Sequence, residues 1–461
     1  MVVGELATRT ELAIIGSGPG GYVGALRAAD AGLDVTLIDP APLGGTCLNV
    51  GCIPSKALIE VADLRHRAAT SENLGLSGRL DVDMSVLQEH LQSVTSGLRQ
   101  GVAGLLASAG VTVIAGRANF ARHDRLSIEI GDAVQHLEFD DVIVATGSRP
   151  LALEAFPLGP VKGGGTIVNS TGALALAQVP DSMAVIGGGY IGIELGTAFA
   201  KLGSAVTVIE TEATLLSSVP QRLRRVVEGR LERLGVQVRT GTTATGPGPH
   251  AVMTSTGERV DAQVTLVAVG RRPNSDTCSL DVTSAQIDPQ GFVTVDDAHR
   301  AAPHVYAIGD LTRGPALAHR ASADAERAVE ALLGHATVPS GVIPEVIFSD
   351  PEIISVGVTP REAKAQKWQV HRFPHGASAR ALTMSAGDGL TLLVTDPAGT
   401  VQGVHAVGAH VSELAGEACL AVEMAAHIDD LAFTIHPHPT MSETFAEAAS
   451  LARGLPLHVR K

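Results

Sequence analysis

Apolar runs broken by glycine occur twice in the same order along this chain. Residues 13–39, AIIGSGPGGYVGALRAADAGLDVTLID, align without a gap on residues 184–210, AVIGGGYIGIELGTAFAKLGSAVTVIE. Each segment opens on a short apolar strand pattern. A G-x-G-x-x-G turn follows, at Gly16, Gly18 and Gly21 and again at Gly187, Gly189 and Gly192. A helical stretch then runs to Gly32 or Gly203, and a second strand pattern closes on an acid, Asp39 or Glu210. This predicts two βαβ dinucleotide-binding units in an α/β protein. The first glycine permits a tight turn, the second lets backbone approach a pyrophosphate, and the third lets the helix pack on its strand. Free N–H groups at the helix start hold the anion. The closing acids stand where a carboxylate accepts hydrogen bonds from ribose hydroxyls. Two units imply two dinucleotides, hence a flavin enzyme that also uses nicotinamide. A carboxylate at Glu210 repels a 2′-phosphate, and the next basic residue is Arg222, so NAD is favoured over NADP.

Shorter patterns agree. FDDVIVATGSRP (139–150) and VTLVAVGRRPN (264–274) each read as a buried strand, then glycine, then Arg-Pro. HVYAIGD (304–310) is a further strand, placed before the helical ALAHRASADAERAVEALLG. Small residues at these strand ends, Gly147 and Gly270 among them, let a cofactor lie against backbone. From about residue 344 the pattern alternates strands and then helices, as in an α+β interface domain. A length of 461 residues implies two to four domains. The net charge of −14, without clustered Lys/Arg, argues against nucleic acid and anionic membranes as partners. No segment reads as a membrane span or signal peptide: the uncharged run at 12–26 is short and glycine-broken, and Glu5 and Glu11 sit where a leader would be basic. Four cysteines do not make a secreted disulfide framework, so a reducing, cytoplasmic setting is expected.

Two of those cysteines share one stretch, GGTCLNVGCIPSK (44–56), with a lysine. Zinc would need a second Cys/His pair, and Cys278 and Cys419 are isolated, so a reversible Cys47–Cys52 disulfide suits the pair better. A helix is expected to open at Pro54. A thiolate near its start would be stabilised by the unpaired N–H groups and the positive end of the dipole. Lys56 follows one turn on. Beside a flavin its charge would stabilise the anionic reduced ring, and Glu194 on the second unit's helix is its expected partner.

LGGTCLNVGCIPSK resembles the active-site signature of the class I pyridine nucleotide-disulfide oxidoreductases, most closely the dihydrolipoamide dehydrogenase branch. The resemblance runs from residue 13 to about 448. It implies two Rossmann-like domains, FAD on 1–150 with 271–343 and NAD on 151–270, and a C-terminal α+β dimerisation domain at 344–461. It implies that Cys47 meets substrate, that Cys52 lies against the flavin and that Lys56 sits beside the ring. Asp310, Ala316, Leu317, Ala318, His319, Thr146, Gly147 and Gly116 match flavin contacts of the family, with Glu194 and Gly270 on the NAD side.

HPHPTMSETFAEAAS (436–450) allows two readings. Thr440 and Glu443 have capping-box spacing, which would leave His436 and His438 as surface residues. By the resemblance, His438 is the acid/base, Glu443 orients it, and the His438–Pro439 bond is cis. The segment then reaches the disulfide of the other subunit of a homodimer, and the implied electron donor is dihydrolipoamide on the lipoyl domain of a 2-oxo acid dehydrogenase or glycine cleavage complex. Rival readings are glutathione reductase, disfavoured by Glu210, mercuric reductase, disfavoured by the cysteine-free C-terminus, and a silent structural subunit. Two positions depart from the family pattern: Asp39 replaces glutamate, and Ala301 replaces threonine.

Overall fold

The computed structural model describes residues 8–78, 80–336 and 341–459; Glu5 lies outside them. The two repeated segments form the predicted βαβ units. In the first, β1 (Thr8–Ile15) leads into α1 (Pro19–Asp30) and then β2 (Val35–Ile38), which pairs parallel to β1 with Leu12 opposite Val35 and Ile15 opposite Ile38. In the second, β3 (Ser182–Ile186), α2 (Tyr190–Leu202) and β4 (Ala205–Ile209) repeat the arrangement, with Ser182 opposite Ala205 and Ile186 opposite Ile209.

Each unit belongs to its own sheet. The first sheet runs, in spatial order, Arg300–Ala302, Val305–Ala307, Ala133–Val144, β1, β2 and Thr112–Ile114. The second runs Gln237–Arg239, β4, β3, Val264–Val267, Thr166–Val168 and Gly159–Pro160. In both, the strand leading into the glycine turn is central, and chain order reverses beside it. Ligands of open parallel sheets bind at that crevice, beyond the strands' carboxyl ends. The core strands are nearly devoid of polar side chains because both faces are covered; in the first sheet helices such as α1 lie on one face and the antiparallel strands Arg117–Arg122 and Arg125–Ile130 on the other, and Leu12, Ala13, Ile14, Val142, Ile143 and Val144 are all fully buried.

The chain passes between these sheets twice, and the two passages pair with each other. Ser148–Pro150 and Arg271–Pro273, the two Arg-Pro segments, form an antiparallel ribbon with Ser148 opposite Pro273. A third, antiparallel sheet follows, ordered Glu345–Ile347, Glu352–Gly357, Val401–Gly408, Leu390–Thr395 and Gln369–Pro374. Helices Ala415–Glu423 and Glu443–Ala452 pack on it through Ala418, Phe445, Ala448 and Ala449. No helix among the described residues is long and apolar enough to cross a membrane.

Candidate active site

The two glycine turns are built alike, atom for atom. Gly16 and Gly187 have φ of 103° and 109°, and a Cβ on either would stand 2.4 Å from a carbonyl oxygen, that of Ala145 or Ala268. A Cβ on Gly21 would lie 1.8 Å from the Gly16 oxygen, and one on Gly192 would lie 2.1 Å from that of Gly187. Helix and strand can meet this closely only without side chains. Gly18 and Gly189 differ: no atom of the described residues lies within 4 Å of a Cβ built there, and no side chain caps either helix. Each turn therefore offers an open concavity floored by free N–H groups, which fits a pyrophosphate.

The closing acids brace these turns. Asp39 Oδ2 accepts from the Ser17 N–H at 2.6 Å and hydroxyl at 2.7 Å, while Oδ1 accepts from the Ala41 N–H at 2.8 Å. Glu210 does the same, taking the Gly188 N–H at 2.6 Å and the Glu212 N–H at 2.7 Å. The shorter Asp39 side chain still reaches its turn.

The cysteine stretch docks on the first turn as two helical pieces. Gly44 donates its N–H to the Ser17 carbonyl, and a Cβ on Gly45 would stand 2.6 Å from the Gly18 Cα. Cys47 lies in a short helix, Gly45–Val50; Cys52 is the first residue of a long one, α3 (Cys52–Thr70). The helix thus opens at Cys52, two residues before the expected Pro54, with Gly51 at the break. Pro54 sits in the first turn, where a missing N–H costs nothing. Cys52 is therefore at the dipole end itself. Both sulfurs are free thiols in this structure. The hydrogen bond from Cys47 and then the Lys56 charge outweigh burial and bring the Cys52 pKa down to about 7. The same hydrogen bond, with burial, pushes Cys47 up. Of the two thiols, Cys52 is the more acidic.

Lys56 finds the predicted partner. Its Nζ lies 2.8 Å from Glu194 Oε2 and 4.6 Å from the centroid of the Phe348 ring. Glu194, only 4% exposed on α2, also accepts the Phe348 N–H at 2.8 Å. Two turns further along both helices, the Lys201 ammonium pairs with Asp63 and, at 2.8 Å, with Asp350. Helices α3 and α2 are thus clasped twice, with opposite polarity.

A cavity of about 770 Å³ joins these parts, lined by Gly16, Gly18, Asp39, Cys47, Cys52, Lys56, Thr146, Gly147, Glu194, Asp310, Ala316 and Ala318. It runs from the open glycine turn to the thiols, and its volume and lining fit FAD. Gly116 does not line it but donates to the Asp39 carbonyl, while its neighbours Arg117 and Ala118 do. Leu317 and His319 also lie off the wall; the His319 ring bonds the Pro344 carbonyl at 2.8 Å. Gly187, Gly189, Gly192 and Glu210 form the second cradle outside this cavity; Gly270, at φ 118°, ends the strand beside it. Sequence reasoning missed Ser148 and Arg271. Arg271 donates to the Ser148 hydroxyl at 2.7 Å, and that hydroxyl donates to Asp310 Oδ2 at 2.6 Å. Their signal was the twin Arg-Pro segments, whose mutual pairing only the fold reveals.

The chain belongs to the pyridine nucleotide-disulphide oxidoreductase family. The family model matches residues 10–325, and that of its dimerisation domain matches 343–449. Dihydrolipoyl dehydrogenase of Geobacillus stearothermophilus is 42% identical over 100% of this chain and 99% of the relative. That of Halobacterium salinarum is 41% identical over 99% of each. Among solved structures, LpdA from Mycobacterium tuberculosis superposes with a TM-score of 0.90 at 27% identity, over 97% of this chain and all of that one. The HOCl-induced flavoprotein disulfide reductase RclA from Escherichia coli shares the fold, with a TM-score of 0.85 at 24% identity over 96% and 99% of the two chains. FAD and NAD are the cofactors of this family.

Within the family's dimerisation domain, the His438–Pro439 bond is cis and His438 Nδ1 lies 2.9 Å from Glu443 Oε1. The capping-box reading fails on geometry. Glu443 is the first residue of its helix, not the third, and Thr440 bonds Ser442 and the Pro437 carbonyl instead of capping. One oxygen of Glu443 accepts the Thr440 N–H at 2.8 Å and leaves the other for the imidazole. Partial burial works to raise the Glu443 pKa; the Thr440 N–H and the His438 ring outweigh it and hold it low. His438 is 69% exposed and absent from the cavity wall, beside a strongly exposed Ile435. His436 is not a surface residue: its ring is buried and bonds Glu417 at 2.8 Å.

Proposed function

We propose that this chain is a dihydrolipoyl dehydrogenase that oxidises dihydrolipoamide carried on a lipoyl domain, in the cytoplasm, with NAD⁺ as the acceptor. The observation that carries the reading is the thiol pair, Cys47 and Cys52, set between the FAD-sized cavity and the Lys56–Glu194 ion pair, which joins it to the second dinucleotide cradle. The first cradle, with Asp39, Thr146, Gly147, Asp310, Ala316 and Ala318, would hold FAD; the second, with Glu210 and Gly270, would hold NAD. Sheet membership supports a division into 1–150 with 271–343, 151–270 and 344–461, because strands near 300–307 complete the first sheet.

In the oxidised enzyme Cys47 and Cys52 form a disulfide. His438 of a second subunit takes a proton from one substrate thiol, because only the thiolate attacks sulfur. Glu443 holds the ring by Nδ1, which leaves Nε2 as the base, and its charge favours the imidazolium that forms. The substrate thiolate bonds to Cys47, and Cys52 leaves as a thiolate, the form that the Lys56 charge stabilises. The second substrate sulfur displaces Cys47 from the mixed disulfide and closes the lipoyl ring; its proton ends on the Cys47 sulfur, while the first stays on His438. Two electrons and one sulfur–sulfur bond have then changed hands. Bound in the cavity, FAD supplies two-electron transfer from the dithiol to NAD⁺. Lys56, held by Glu194, sets a fixed positive charge beside that exchange.

Two supports favour a shared site in a homodimer. The family's dimerisation domain is present, and His438 stands at an exposed apolar surface away from its own chain's cavity. The deciding test compares steady-state turnover of dihydrolipoamide with NAD⁺ against oxidised glutathione with NADPH. The first pair turns over and the second does not; the reverse preference overturns the reading.

A further inference from the structure

Behind the His438–Glu443 pair lies a buried polar chain in the core of the C-terminal domain. His375, Thr391 and Thr444 are each 0% exposed. His375 Nε2 is 2.9 Å from Thr391 Oγ1, which donates to Thr444 Oγ1 at 3.1 Å. Thr444 Oγ1 in turn donates to the Met441 carbonyl at 2.8 Å. The direction is forced from the far end. A carbonyl cannot donate, so the Thr444 hydrogen points at Met441. Thr444 oxygen therefore receives the Thr391 hydrogen, and Thr391 can only accept from the imidazole. His375 thus carries a hydrogen on Nε2.

Its other nitrogen is enclosed. Nδ1 has no hydrogen-bond partner among the described residues. A Cβ on Gly389 would stand 2.2 Å from it, and one on Gly408 would stand 2.4 Å away, so these two glycines make the room for the ring. Burial pushes the His375 pKa down to about 4, which favours the neutral ring with its hydrogen on Nε2. Leaving a polar nitrogen buried without a partner is unfavourable, and the core accepts it where a leucine or phenylalanine would fill the space without that cost.

Met441 lies between the cis bond and Glu443, and Thr444 directly follows Glu443. The polar chain therefore pins both ends of the turn that aims the glutamate at His438. We propose that His375 is a positioning residue for the acid/base pair, acting through Thr391 and Thr444 to set the Met441–Glu443 turn. This rests on the role given above to His438 and Glu443. Small misplacement of a base is costly, on the order of 10²-fold for an ångström.

The test uses the FAD-loaded enzyme and three variants, His375→Phe, Thr391→Val and the double variant. Wild-type turnover of dihydrolipoamide with NAD⁺, abolished in His438→Ala, secures the underlying role first. Each single variant is then expected to lower kcat for dihydrolipoamide about 10-fold, to shift the acid limb of its kcat/KM pH profile, and to leave NADH-driven dye reduction within about twofold. The double variant is no worse than either single one, because both break one chain. His375→Gln, which keeps an N–H donor, recovers part of the loss. Parallel loss of dye reduction, an unmoved pH profile or additive losses overturns the proposal. If His375→Phe fails to accumulate with FAD, Thr391→Val decides by the same readouts.

Discussion

Lys56, Cys52 and His375 show how one residue's surroundings set its chemistry. Lys56 has the partner that its place in the chain predicted. Paired with a buried Glu194, it is fixed beside Cys52 and lowers that thiol's pKa. Lys56→Met removes the charge, so the Cys52 thiolate should titrate closer to the ordinary thiol value. Thiolate ultraviolet absorbance of the reduced protein against pH checks this, and an unchanged midpoint near 7 refutes it. His375 makes a prediction of opposite kind. Its folded pKa, about 4, lies below the unfolded value near 6.5, so the neutral form belongs to the fold. Its contribution is fully present above about pH 6.5 and is lost as pH falls toward 4, up to roughly 3 kcal/mol. His375→Phe should flatten that acid loss in urea unfolding followed between those pH values.

At the scale of elements, the duplicated βαβ unit is one solution used twice. The same glycine contacts recur, and the same carboxylate brace ties the second strand to the turn. Substitution at equivalent positions should therefore separate the two sites. Gly21→Ala forces α1 from its strand, because its Cβ would overlap the Gly16 oxygen, and the purified protein should lose its yellow colour. Gly192→Ala does the same to α2, and should keep FAD while raising KM for NAD⁺ at least about 10-fold. Flavin absorbance and NAD⁺ titration read the two outcomes. Loss of FAD in Gly192→Ala would show that the sites are not independent. Both units were legible in the chain because strand, turn and helix signals are local. The start of the disulfide helix was misjudged because proline was taken as its first residue, whereas the chain turns helical at Cys52.

For the whole molecule, the dimerisation domain leaves apolar surface open on a single chain. Ile435 is 94% exposed, and Leu420, Met424 and Phe433 of the same domain are also largely uncovered. A second subunit would cover them and bring its cavity to His438. Ile435→Asp should yield a monomer by light scattering that keeps FAD and dye reduction but loses dihydrolipoamide turnover about 10²-fold or more. A fully active monomer would place the acid/base within one chain.

The local pattern alone determined the two βαβ units, the close cysteine pair beside Lys56, the acid that closes each unit and the α/β class. Such features are written in adjacent residues, through strand periodicity, glycine spacing and the pairing of scarce residue types. Tertiary structure alone decided that the two Arg-Pro segments pair and that Ser148 joins Arg271 to Asp310. It also decided that Glu443 opens its helix and serves His438, and that His375 reaches that turn through two threonines. These are contacts between residues tens to hundreds of positions apart. Hydrogen-bond geometry selects them only after the core has brought their backbones together.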